Sequence, residues 1–173
     1  WEPILEDAIN RCPNGVTTKD FHKALIDAWL DTKDFYSVRM AGRLLLGKLN
    51  KDVFGDFNNK LPIKYFYKSM VSQGLWEDLK YSDEDLDYLE GVIDHSKDFK
   101  YEYVTIRQCI DKYLLKDKIS KKIYETPQYM FLGMAMATMK DMPKERKLKY
   151  VEKLYNYLSD LKINAPTPLM NAL

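Results

Sequence analysis

The sequence predicts a mainly α-helical protein, with a bundle-like helical domain, one short hairpin and a strand at the C-terminal end. Apolar residues recur at helical spacing in at least seven segments of the 173-residue chain. Capping residues or prolines stand at the starts of most of these segments, and glycines follow several of them. One segment, residues 126–139, contains no Asp, Glu, Lys or Arg, so we expect the other helices to enclose it.

This uncharged segment is predicted to be the central helix. The hydroxyl of Thr126 is expected to cap it, and Pro127 suits its first position because no backbone donor is needed there. Just before it, two apolar clusters at residues 113–115 and 123–124 face each other across a lysine-rich turn and predict the hairpin. We expect the methionines of the helix to fill the core: Met130, Met134, Met136 and Met139.

Three amphipathic helices are predicted at the start of the chain. Residues 4–11 form a short one. Thr17 or Thr18 caps the second, and Asp34 starts a long third helix that Gly55 ends.

Further helices are predicted at residues 63–73 after Pro62, at residues 83–92 capped by Ser82, at residues 104–113, and at residues 143–159. Residues 99–103 are expected to be extended. After the last helix, residues 162–165 suit a strand that runs into Thr167, which two flanking prolines hold in extended backbone. The edge of such a strand must be covered by another chain or by a continuation of this one.

Composition narrows the class of protein. With 46% hydrophobic and 31% charged residues, the chain is typical of a soluble globular protein. Its 27 basic and 26 acidic residues nearly balance, which argues against a nucleic-acid-binding protein. No apolar run is long enough to span a membrane, and no targeting segment is visible. Cys12 and Cys109 are expected to be free thiols in a reducing compartment, so we expect a cytoplasmic protein, in the host cytoplasm if it is viral.

Motifs for catalysis are missing from the sequence. There is no glycine-rich phosphate loop and no H-E-x-x-H motif, and the isolated His22 and His95 are expected to be capping or surface residues. Acid pairs such as Asp94 and Asp98 fall at helix boundaries, where acids serve capping and solubility. The lysine-rich run at residues 116–122 is expected to be a solvated turn. We therefore expect no catalytic residue, no metal ligand and no bound cofactor in this chain.

Several ordered motifs nevertheless resemble one family. They are Ile93-Asp94-His95-Ser96-Lys97-Asp98, Lys112-Tyr113-Leu114-Leu115, Ile123-Tyr124-Glu125-Thr126-Pro127-Gln128-Tyr129-Met130-Phe131 and Pro166-Thr167-Pro168-Leu169-Met170. Together they resemble the large, catalytic subunit of class I ribonucleotide reductase. One departure is that the family's hairpin turn usually contains Thr-Gly, where this chain has Ser120-Lys121-Lys122.

The resemblance also implies a domain division. Residues 1–55 are similar to the second half of the ATP-cone, the family's regulatory domain; in the family, a threonine like Thr18 and a lysine like Lys51 contact the effector nucleotide. The cone's N-terminal strands have no counterpart before Trp1, so we expect no ATP or dATP binding by this chain alone. Residues 56–160 correspond to the family's helical domain, and residues 161–173 to the first strand of its ten-stranded α/β barrel.

The implied function is reduction of ribonucleoside diphosphates to deoxyribonucleotides. Thr167 matches a threonine that contacts the substrate, whereas the family's catalytic cysteines lie on later strands. Expected partners are the remainder of the large subunit, the substrate and the small subunit, whose metal radical cofactor the assembly would use together with ATP and dNTP effectors. The leading hypothesis is a complementing N-terminal portion, from a split gene or a truncation. The alternatives are a stand-alone helical interaction or regulatory module, and a nucleotide sensor that uses Thr18 and Lys51.

Overall fold

A computed structural model describes residues 1–163 and shows a helical protein. Its eight α-helices are α1 (Glu2–Asn10), α2 (Thr18–Asp31), α3 (Phe35–Phe54), α4 (Ile63–Ser72), α5 (Asp83–Glu90), α6 (Tyr103–Gln108), α7 (Pro127–Thr138) and α8 (Lys144–Ser159). A 3₁₀ helix, His95–Lys100, precedes α6, and a π-helical turn, Cys109–Tyr113, follows it. The mainly α prediction is confirmed for this part of the chain.

Most of the predicted helix starts follow from local chemistry. The Thr17 side chain accepts a hydrogen bond from the Asp20 amide at 3.2 Å, and Asp34 accepts one from the Ser37 amide at 3.0 Å. Ser82 and Asp85 form a reciprocal capping box at the start of α5. These caps are set by residues within one turn of the helix, which is why the sequence predicts them.

The start of α7 differs from the prediction. Pro127 occupies the first helical turn as expected, but Thr126 makes no capping hydrogen bond. Its hydroxyl is buried without a partner. The helix starts here because the proline ring fixes a helical φ and removes one unpaired donor, and the prediction that the Thr126 hydroxyl caps the helix is wrong.

The segment between α5 and α6 also differs. Residues 99–103 were expected to be extended, yet Phe99 and Lys100 end the 3₁₀ helix, and extended backbone is found at Tyr101 and Glu102. This helix starts where the Asp94 carboxylate accepts the Ser96 amide at 2.9 Å. The Lys97 side chain of the 3₁₀ helix then binds α8, so contacts distant in sequence help to hold this segment in place.

The core surrounds α7 as predicted. Residues 127–136 are all buried, and Met130, Met134 and Met136 have no exposed surface. One large apolar cluster joins α7 to side chains from α3 through α6 and from α8. A second, small cluster lies between α1 and α2 and consists of Ala8, Ala24, Leu25 and Ala28.

The predicted hairpin is minimal. Its ladder is reduced to one antiparallel bridge between Lys116 and Ile123, next to a hydrogen bond from the Tyr124 amide to the Leu115 carbonyl at 3.0 Å. Lys121 adopts a left-handed φ of 60° in the turn. The lysine-rich tip is exposed, as expected. Residues 161–163 leave α8 as a turn and bend; the rest of the predicted terminal strand lies outside the described residues.

Candidate functional site

The predicted site residues fall in different parts of the chain. Thr167 lies outside the described residues. Thr18 is the first residue of α2, and Lys51 lies in the last turn of α3. Because a short connection makes these helices antiparallel neighbours, both residues are at the same end of the helix pair. Both are exposed, and the Lys51 ammonium lies 5.5 Å from the centre of the Phe57 ring.

A groove of about 380 Å³ runs beside these two residues, between α2, α3 and α6. Its apolar lining consists of Ile26, Leu45, Leu49, Tyr103, Ile110 and Ile123. Its polar lining mixes both signs: Lys19, Asp20, Lys23, Asp27, Lys48, Asp52 and Arg107. Thr18 and Lys51 adjoin this groove without lining it. The mixture of charges gives it no strong preference for an anionic or a cationic ligand.

A buried hydrogen-bond network is centred on Gln128, the second residue of α7. Its amide nitrogen donates to Asp98 Oδ1 at 2.8 Å and to the Tyr101 hydroxyl at 3.1 Å. Its amide oxygen accepts from the Tyr155 hydroxyl at 2.7 Å. The Tyr155 hydroxyl in turn accepts the Asp94 amide at 2.8 Å. One side chain of α7 thus connects the 3₁₀ helix to α8.

Asp98 is the ionisable centre of this network. It is 1% exposed, and its second carboxylate oxygen has no hydrogen-bond partner. Burial raises the pKa of Asp98 to about 7, against the opposing effects of the Gln128 hydrogen bond and the Lys60 charge. Burial also lowers the pKa of Lys60 to about 8. The Lys60 ammonium donates to the side-chain oxygen of Asn50.

Lys97 connects the 3₁₀ helix to the C-terminal end of α8. Its ammonium donates to Asn156 Oδ1 and Ser159 Oγ, each at 2.8 Å, and pairs with the Asp160 carboxylate at 3.0 Å. It also lies 5.0 Å from the centre of the Tyr155 ring. Lysine is almost never fully buried unless it is paired, and here every acceptor lies at or near the end of one helix.

A second buried carboxylate, Glu125, lies just before α7. Its Oε1 accepts the Leu115 amide at 2.9 Å, which fixes the hairpin to the start of α7. Burial raises the pKa of Glu125 to about 7, while the Leu115 amide and the Trp76 indole lower it by smaller amounts. The indole N–H faces this carboxylate without reaching hydrogen-bond geometry, and Glu125 Oε2 has no partner. Glu125 is enclosed and has a structural role.

The histidines have structural contacts that sequence reasoning did not find. His22 Nε2 lies 2.9 Å from the Leu44 carbonyl, across the α2–α3 contact. His95 packs against Tyr129, and burial lowers the pKa of His95 to about 4. Neither is a cap or a fully exposed residue, contrary to expectation. Cys12 and Cys109 are free thiols.

Within residues 1–163, no three His, Cys, Asp or Glu side chains are grouped so that they could hold a metal ion. None of the helices in this range is both long and apolar enough to cross a membrane.

The buried hydrogen-bond network around Gln128 can hold a proton and fix the positions of helices, but it is enclosed and offers no surface to a substrate. Sequence reasoning missed it because Asp98 and Gln128 are residue types that usually face water.

Comparisons with known proteins all match this chain to ribonucleotide reductases. A family model described as "Ribonucleotide reductase, all-alpha domain" matches residues 99–173. The chain is 29% identical over 166 residues to ribonucleoside-diphosphate reductase 1 subunit alpha of Escherichia coli, covering 92% of this chain and 22% of that protein. It is 32% identical over 163 residues to the subunit alpha of Haemophilus influenzae, covering 90% of this chain and 21% of that protein.

The corresponding subunit alpha of Enterobacteria phage T4 is 34% identical over 175 residues, covering 96% of this chain and 23% of that protein. The mainly helical fold of residues 1–163 and these matches define the class of protein, an N-terminal helical region of a ribonucleotide reductase. The chain belongs to the class I ribonucleotide reductase large-subunit family and corresponds to its N-terminal region. The resemblance indicated by the motifs is thereby confirmed. The chain spans about a fifth of the length of these relatives.

Proposed function

We propose that this chain supplies the N-terminal helical part of a ribonucleoside-diphosphate reductase large subunit. The observation that carries the proposal is the similarity of 90–96% of the chain to reductase alpha subunits. The described part has an enclosed helical core around α7. The proposed role is therefore a scaffold that contributes to ribonucleotide reduction once the remainder of the subunit is present, including when that remainder is a separate polypeptide.

Thr167 is the proposed contact to the substrate, a ribonucleoside diphosphate. A hydroxyl donor between two prolines is well suited to orient a ribose or phosphate oxygen, because the unbound backbone already has little freedom to lose. The radical that starts the reaction would come from the metal cofactor of the small subunit, in the cytoplasm. Thr18 and Lys51 are the proposed effector contacts, and their position at one end of the α2–α3 pair is compatible with a shared nucleotide.

The test is to combine this chain with a polypeptide that carries the rest of the large subunit, and then with the small subunit. We expect a stable complex in size-exclusion chromatography and production of deoxyribonucleoside diphosphate. The remaining polypeptide without this chain should be inactive, and Thr167→Val should weaken substrate binding. Absence of both a complex and activity would overturn the proposal.

A stand-alone helical module is the second candidate function, favoured by the closed core around α7. The two candidates differ in hydrogen exchange at residues 165–173 of the isolated chain. A module that functions alone should protect these amides, whereas a subunit portion should protect them only after the remaining polypeptide is added. A nucleotide sensor based on Thr18 and Lys51 would instead bind dATP in calorimetry without any partner.

A further inference from the structure

One exposed face of α8 is made of basic and aromatic side chains. They recur at the spacing of a single helical face and are Arg146, Lys149, Tyr150, Lys153 and Tyr157. All five are exposed, and each tyrosine is 41% exposed. The first four line an open depression of about 250 Å³. These five residues are called the α8 basic stripe.

The three cations of the α8 basic stripe have no acidic partner in the described part of the chain, because every ion pair found there involves other side chains. Glu145 lies one turn before Lys149 without pairing with it, and the Glu152 carboxylate is bound by the Tyr88 hydroxyl of α5 at 2.6 Å. The sequence after residue 163 adds no Asp or Glu. Positive charge is therefore concentrated on this face, although the net charge of the chain is only +1.

The opposite face of α8 holds the helix firmly in place. Val151 and Tyr155 have no exposed surface and belong to the main core. The Lys97 ammonium binds Asn156 Oδ1 and Ser159 Oγ, each at 2.8 Å, near the end of the helix. The backbone under the α8 basic stripe is thus ordered before any partner binds, which lowers the entropy cost of association.

The spacing of the cations matches a second α-helix. Arg146, Lys149 and Lys153 are three and four residues apart, so they are separated by about 4.5 Å and about 6 Å along the axis of α8. Carboxylates three and four residues apart on another helix have the same separations. Arg and Tyr are also residue types that are enriched in protein–protein interfaces.

Two other anionic partners fit this surface less well. A helix that lies in a lipid surface buries an apolar face, but the exposed residues of α8 include no Leu, Ile, Val, Met, Phe or Trp. A nucleic acid is a long polyanion, and α5, which packs against α8, exposes Asp83, Glu84, Asp87 and Glu90. These acids would repel a phosphate backbone that continues past α8, whereas a short acidic helix can avoid them.

We propose that the α8 basic stripe is a docking surface for an acidic α-helix of a partner protein. Carboxylates of that helix pair with Arg146, Lys149 and Lys153, and an apolar side chain packs between Tyr150 and Tyr157. Because exposed ion pairs are individually weak and are screened by salt, the binding is of moderate affinity and depends on salt. The inference is independent of the proposed function, since no substrate or effector contact has been placed on this face.

The test measures binding of a synthetic peptide to the 173-residue chain by fluorescence anisotropy. The peptide is an alanine-rich helix with three Glu residues, four and three positions apart, and a Leu one turn further on the same face. We expect it to bind, and we expect a peptide with Gln in place of each Glu to bind at least about tenfold more weakly. Carbodiimide, which joins amines to carboxylates, should cross-link the Glu peptide to Lys149 and Lys153.

A triple variant tests the surface itself and removes all three cations: Arg146→Gln/Lys149→Gln/Lys153→Gln. Because these side chains are exposed and make no ion pair in the described part of the chain, the variant should keep the helical circular dichroism of the unmodified chain. Its Kd for the Glu peptide should be at least about tenfold higher. Tyr150→Ala should raise the Kd by a smaller factor.

The matched control removes the same number of charges from the exposed tip of the hairpin: Lys118→Gln/Lys121→Gln/Lys122→Gln. It should change the Kd by less than about twofold, because only long-range attraction is lost. Equal losses in the two triple variants would overturn the inference, as would a Glu peptide that does not bind or that cross-links mainly to other lysines. Tighter binding of a single-stranded oligonucleotide, or of equimolar phosphatidylserine–phosphatidylcholine vesicles, through the same three cations would also overturn it.

Discussion

At the scale of single residues, the buried Asp98 carboxyl couples stability to pH. The folded protein holds its proton up to about pH 7, whereas an unfolded chain releases it near pH 4. Because the folded pKa is raised, ionisation of this group disfavours folding as pH rises from about 4 to 7, and the cost remains above that range. His95 acts in the opposite sense: burial lowers its pKa to about 4, so its buried neutral form adds stability as pH rises from about 4 to its ordinary pKa. Lys60, with a pKa lowered to about 8, has a similar effect only above about pH 8. The contribution of Asp98 is therefore best isolated by comparing a variant with the unmodified chain.

Asp98→Asn should therefore stabilise the protein increasingly as pH rises. The amide oxygen can still accept from Gln128, and no buried charge develops. We expect the advantage of the variant in unfolding free energy to grow between pH 5 and pH 8 by on the order of 1–3 kcal/mol. Urea denaturation at several pH values measures it. Asp141→Asn, at an exposed site, is the control; a difference between Asp98→Asn and the unmodified chain that does not change with pH would contradict this account.

Thr126 gives a second test at this scale. Its hydroxyl is buried without a partner, so replacing it with the methyl group of valine removes an unsatisfied polar atom and keeps the shape. Thr126→Val should leave the unfolding free energy unchanged or raise it by up to about 1 kcal/mol. Ser82→Ala is the comparison, because Ser82 does cap its helix and its loss should cost about 1 kcal/mol. Equal losses in the two variants would show that Thr126 is a cap after all.

At the scale of helices and their contacts, α3 and α6 approach each other closely at Gly42. A Cβ added there would lie 2.9 Å from the Tyr103 amide nitrogen and 3.2 Å from the Tyr101 carbonyl oxygen. Both are backbone atoms that cannot rotate away. Glycine at this position allows α6 to start against α3, and the segment before α6 then carries Tyr101 into the network.

Gly42→Ala is expected to destabilise the protein, although alanine is the better helix former. Helix propensity alone would raise the unfolding free energy of the alanine variant by about 1 kcal/mol. The steric conflict with the backbone should outweigh this gain, so we expect a net loss of about 1–3 kcal/mol. Gly47→Ala is the matched control in the same helix, because its Cβ would meet only the exposed Phe57 ring, 3.1 Å away, which can move. In thermal unfolding, the Tm of Gly47→Ala should equal or exceed that of the unmodified chain. A Gly42→Ala variant with a raised Tm would refute the close contact.

Helix boundaries show what the sequence can and cannot predict. Ser82 and Asp34 bind amides within three residues, so local pattern is sufficient for α5 and α3. The 3₁₀ helix depends on Lys97 and on acceptors 59 and 62 residues away, which no local pattern contains. Asp94 does cap this helix as its position suggests, whereas Asp98, four residues later, is buried. Only the packing against α7 distinguishes these two acids.

At the scale of the whole molecule, stability is unevenly distributed. The main core includes every side chain from Tyr129 to Met136 except Gly133, whereas α1 is attached mainly through the small Ala8, Ala24, Leu25 and Ala28 cluster. The ion pair between Arg11 and Asp31 at 2.7 Å adds an exposed link, which is worth little in water. Apolar burial scales with the area removed from water, so α1 contributes the least and should open first.

Hydrogen exchange followed by mass spectrometry should resolve this difference. We expect the amides of α7 to exchange only through global unfolding and those of α1 to exchange roughly 100-fold faster or more. Leu25→Ala should accelerate exchange in α1 and α2 while leaving α7 unchanged, because its cavity lies in the small cluster. Met134→Ala should accelerate every slow amide, since it weakens the core on which global stability depends. Equal protection in α1 and α7 would mean that the two clusters unfold as one cooperative unit, and that the small cluster contributes more than its buried area implies.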